Sequence, residues 1–112
     1  MAMMLDCQID RDKAGTVITL PYAAVDRAYV LLDALLCGSL RTFVLRSGST
    51  LLTCSCGDED VLMEDTLTLS VTMAEYIKSV LLKVVLRPQD VDWLHADVNA
   101  AGGEAVIRFA NP

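Results

Sequence analysis

Residues 22–38, YAAVDRAYVLLDALLCG, set Val25, Ala28, Tyr29, Leu32, Leu35 and Leu36 at helical spacing, so the segment reads as an amphipathic helix. Pro21 suits its first turn, where no amide hydrogen bond is lost, and Gly38 suits its end, where φ turns positive. Only Asp26, Arg27 and Asp33 interrupt the run, and Val30 and Leu31 spill off the stripe onto the flanks. Such a helix needs cover on more than one side. An antiparallel sheet packed against it is the simplest cover.

Strand patterns surround that helix. Leu5, Cys7 and Ile9 alternate with Asp6, Gln8 and Asp10, and residues 16–20 alternate again. A hairpin pairing Leu5 with Leu20, Cys7 with Ile18 and Ile9 with Thr16 gathers their apolar side chains on one face. After the helix, RTFVLR and TLLTCSC flank SGS, a second hairpin. Beyond the polar corner GDED, Leu67, Leu69 and Val71 alternate with Thr66, Thr68, Ser70 and Thr72, a half-buried strand.

Thr72 with Glu75 three residues on forms a capping box, which predicts a second helix. Ala74, Ile77, Leu81, Val84 and Val85 make its stripe, Val80, Leu82 and Leu86 overflow it, and Pro88 forbids extension. VDWLHADVN and EAVIRFA, joined by AAGG, close the chain as a hairpin with Leu94, Ala96, Val98, Ala105, Ile107 and Phe109 inward. The order ββα-βββ-αββ predicts an α+β fold spanning 1–112 as one domain. Its expected form is a two-layer sandwich, a mainly antiparallel sheet of about seven strands with two helices on one face. No repeat of fixed period is visible.

At 112 residues the chain is long enough to bury a core without staples. Fifteen acids against nine bases give a net charge of −6, which disfavours nucleic acid and anionic lipid as partners. Asp33, Asp65, Lys78 and Lys83 break every apolar run short of a membrane span, and the N-terminal residues lack a secretory pattern. A cytoplasmic location is the expectation. The four cysteines then read as free thiols, with Cys7 and Cys37 as small buried hydrophobes.

Chemistry-bearing candidates are few. Cys54 and Cys56 share a strand face beside an acidic turn, but a second ligand pair for zinc is missing, so no metal or cofactor is expected. Asp58, Glu59 and Asp60 open an acidic run unlike a calcium loop, and such a run steers basic partners. His95 and Asp97 share a strand face with Arg108 opposite, the nearest approach to a catalytic set, yet no nucleophile motif accompanies them. Trp93 belongs to the same face, an indole among polar residues.

The function expected is therefore a non-enzymatic protein-interaction module of immunity-protein or regulatory type, acting through an apolar surface and an acidic patch. A homodimer buried at Val30, Leu31, Val80 and Leu82, or at a sheet edge, is the expected assembly, with a basic protein as a further partner. A small-molecule binder with an apolar pocket between helices and sheet is the alternative. A small hydrolase using His95 and Asp97 comes third.

Overall fold

The computed structural model describes residues 3–111. Residues 4–20 form three strands, β1 (Met4–Asp6), β2 (Gln8–Asp12) and β3 (Gly15–Leu20). A 3-10 turn, Tyr22–Ala24, leads into α1 (Val25–Cys37), which stops where Gly38 takes φ 81°. Four strands follow: β4 (Thr42–Ser47), β5 (Thr50–Gly57), β6 (Val61–Leu62) and β7 (Thr66–Ser70). Next come α2 (Val71–Leu86), a 3-10 turn at Pro88–Trp93, β8 (His95–Ala100) and β9 (Gly103–Phe109).

The N-cap of α2 is Ser70, not Thr72: its hydroxyl accepts from the Met73 amide at 3.2 Å. The strand and the helix share a boundary, so the cap falls on the last strand residue and the capping box shifts out of register. Pro88 ends the helix as expected.

The α+β class holds, but the single antiparallel sheet does not. The strands form two mixed sheets, one ordered β1-β4-β5-β7-β6 and the other β2-β3-β9-β8. The first predicted strand splits at Cys7, so Met4–Asp6 joins one sheet, parallel to β4, while Gln8–Asp12 joins the other. The β2–β3 register is displaced by two residues from the expected one, pairing Ile9 with Ile18. A two-residue slip preserves which side chains face inward. Each helix crosses from one sheet to the other: α1 links β3 to β4, and α2 links β7 to β8.

That crossing hides a duplication. The segment β2-β3-α1-β4-β5 and the segment β6-β7-α2-β8-β9 have the same plan of hairpin, helix and hairpin. In each, the second strand pairs antiparallel with the first and parallel with the last strand of the other segment: β3 with β9, and β7 with β5. The two halves are thus related by a pseudo-two-fold, although the sequence shows no repeat.

Both sheets and both helices face one core. Ile18, Leu52, Leu67, Ile77, Leu81 and Val98 are almost wholly enclosed. The helices pack on each other, and Asp33 of α1 accepts a hydrogen bond from the Lys78 ammonium of α2 at 2.7 Å. Leu31 and Val80 are buried within the chain itself, so the helices spill less apolar surface than their sequences imply.

Candidate functional site

The β8–β9 hairpin positions the predicted polar face. Its two-residue loop, Ala101 and Gly102, needs glycine because Gly102 has φ 96° and a Cβ there would strike the Leu62 carbonyl. The hairpin tip is tied to the other sheet, with the Ala101 amide donating to the Asp60 carbonyl and the Leu62 amide to the Ala101 carbonyl, both at 2.9 Å. Period-two alternation then buries Ala96 and Val98 and exposes His95, Asp97 and Asn99.

On the outer face His95 lies opposite Arg108, and Asp97 lies opposite Val106. With Asp92 and Phe109 they border an open groove of about 310 Å³. His95 Nε2 is 3.5 Å from Asp97 Oδ2, and both side chains are more than half exposed. Among the described residues no serine, threonine or cysteine borders this groove to serve the imidazole as a nucleophile. Trp93 ends the 3-10 turn before β8 rather than lying on the strand face with His95, and 83% of its surface is exposed.

The acidic run divides. Asp58 and Glu59 are exposed, whereas Asp60 is half-buried and its carboxylate accepts from the Ser70 amide at 2.7 Å. Asp60 therefore joins the β5–β6 corner to the start of α2, where a carboxylate also meets the positive end of the helix. Its carbonyl anchors the β8–β9 loop as well. This structural role was invisible in the sequence because the partner, Ser70, is ten residues away.

The helix flanks divide too. Val30 is 62% exposed and Leu82 46%, while Leu31 and Val80 are enclosed and available to no partner. Leu86, an overflow position in the sequence, is 70% exposed, and Val85, expected on the inward stripe, is exposed beside it.

Among the cysteines, Cys54 is buried and Cys56 half-buried on the same strand face. Burial pushes the Cys54 thiol up to about 12 and the half-buried Cys7 up to about 11. Cys37 departs from expectation, lying exposed at the end of α1, where Ser39 hydrogen-bonds its sulfur and lowers its pKa. None of the four is in a disulfide, and the described residues contain no cluster of three or more metal-ligating side chains.

The enclosed space between helices and sheets is about 30 Å³, lined by Leu32, Phe43, Leu69 and Ile77 among other apolar residues. That is room for about one water, which an apolar lining does not retain. Among the described residues no helix is long and apolar enough to cross a membrane. Compared with family models, curated proteins and solved structures, the chain shows no match.

Proposed function

We propose that this chain is a non-enzymatic association module whose work is done by its surface. The observation that supports the reading is the set of large apolar side chains left in water, foremost Trp93, Leu86 and Val30. Single exposed hydrophobes are ordinary, but Leu82, Val85 and Leu86 sit together at one end of α2, and the turn that follows ends in Trp93. A homodimer is the assembly proposed. With a net charge of −6 and Asp58 and Glu59 exposed, a basic protein is the fitting second partner, as for an immunity or antitoxin protein acting in the cytoplasm.

Light scattering across the micromolar range, together with binding to a cationic protein at low and high salt, tests this. A concentration-dependent dimer, or cationic binding that weakens steeply with salt, supports the reading. A monomer that binds no cationic protein overturns it.

A further inference from the structure

The two halves of the fold differ at one edge. In the first half, β1 lies along the outer edge of β4 at Val44, Leu45 and Arg46. Counted back from each two-residue hairpin loop, the counterparts on β8 are Asp97, Val98 and Asn99. Among the described residues no strand lies beside them. Chain from the other sheet first meets β8's edge at Ala101.

That edge is ready to bond. Ala101 directs its amide and carbonyl outward, so Ala100 faces β9, and by ladder alternation His95, Asp97 and Asn99 turn their amides and carbonyls away from β9. The other edge strands are blunted: β1 has three residues, β6 has two, and β2 runs through Asp10, Arg11 and Asp12. β8 has six residues with no lysine, arginine or proline.

We propose that two copies of this chain pair antiparallel through β8, about a two-fold axis at Ala96, joining their four-stranded sheets into one of eight strands. The proposal rests on the association reading and names its occupant and edge. Outward-facing backbone groups can meet in registers centred on Ala96 or on Asp97. Centring on Asp97 sets two carboxylates directly opposite each other, which is repulsive. Centring on Ala96 sets His95 opposite the partner's Asp97, twice, and lays Trp93 beside the partner's Asn99. Extended backbone then pairs from Leu94 to Val98, Asn99 meets the end of the partner's 3-10 turn, and Ala101 is not reached. The chain already uses this device once, where β1 brings Asp6 to Arg46 at 2.7 Å.

Charge reversal tests the register. In sedimentation equilibrium of the full chain, His95→Asp and Asp97→Lys should each weaken dimerisation about tenfold or more, with unchanged circular dichroism. Mixed, they should re-form a dimer, since the aspartate introduced in one chain then faces the lysine introduced in the other, while the unaltered Asp97 of the first faces the unaltered His95 of the second. A wild-type dimer that both variants leave intact overturns the β8 pairing while the association reading stands. A wild-type monomer at all concentrations overturns the β8 pairing by itself, while cationic-protein binding separately tests the wider reading. Should either variant fail to fold, hydrogen exchange on the wild type decides: the His95 and Asp97 amides must slow as concentration rises, and concentration-independent exchange refutes the pairing.

Discussion

Replacing Cys54 with valine should remove a specific alkaline weakness of the fold. The thiol is fully buried, and desolvation raises its pKa from an ordinary 9.0 to about 12. A raised folded-state pKa means that the unfolded chain loses this proton first as pH climbs. Stability from the group is therefore complete below 9 and drains away between 9 and 12, at about 1.4 kcal/mol per pH step. At about pH 10.5 the native chain holds the proton while the unfolded chain has released it, a loss of about 2 kcal/mol. Urea unfolding of wild type and Cys54→Val at about pH 8 and about pH 10.5 isolates the effect, because the two proteins differ in this group alone. The wild-type midpoint should fall further than the variant's by about 1 M urea. Equal alkaline losses in the two proteins would refute the burial argument.

Asp60→Ala should cost about 1.5–3 kcal/mol in chemical denaturation, because it strips a charged acceptor from the half-buried Ser70 amide; Asp60→Asn, which keeps an acceptor, should cost less. Gly102→Ala should destabilise more than Gly38→Ala, for both have positive φ but only at Gly102 would the new Cβ strike a carbonyl; thermal melts rank the two, with Gly38→Ala expected to cost about 1–2 kcal/mol. Arg46 holds the Asp6 carboxyl below its ordinary value, so what this pair contributes is present above the ordinary carboxylate pKa and is lost as pH falls through the lowered one. Asp6→Asn should therefore flatten the acid limb of a stability–pH curve, and an unchanged limb would show the pair to be inert.

The local pattern was legible where it depends on spacing alone. The α1 stripe, the β4–β5 hairpin and the β8–β9 register with Ala96 against Ile107 all follow from periods of 3.6 and 2. Pairing between distant strands was not legible, because β3 meets β9 and β5 meets β7 through contacts that no local signal encodes. The duplication escaped for a related reason: a topology repeats when apolar positions recur in kind, and Ile18 and Leu67 serve matched strands without sharing an identity. Leu31 and Val80 read as surplus because the helix stripes were matched to one sheet, whereas both are enclosed in a fold whose helices pack on each other and whose α2 meets strands of both sheets. Of the polar face, the side-chain pattern was visible, but the open edge of β8 depends on where β1 and β6 go.

Sedimentation equilibrium of the unaltered chain over the micromolar range bears most directly on whether this surface was built to be covered. A two-fold mass rising with concentration is the result predicted. A single species at the mass of one chain throughout would contradict it.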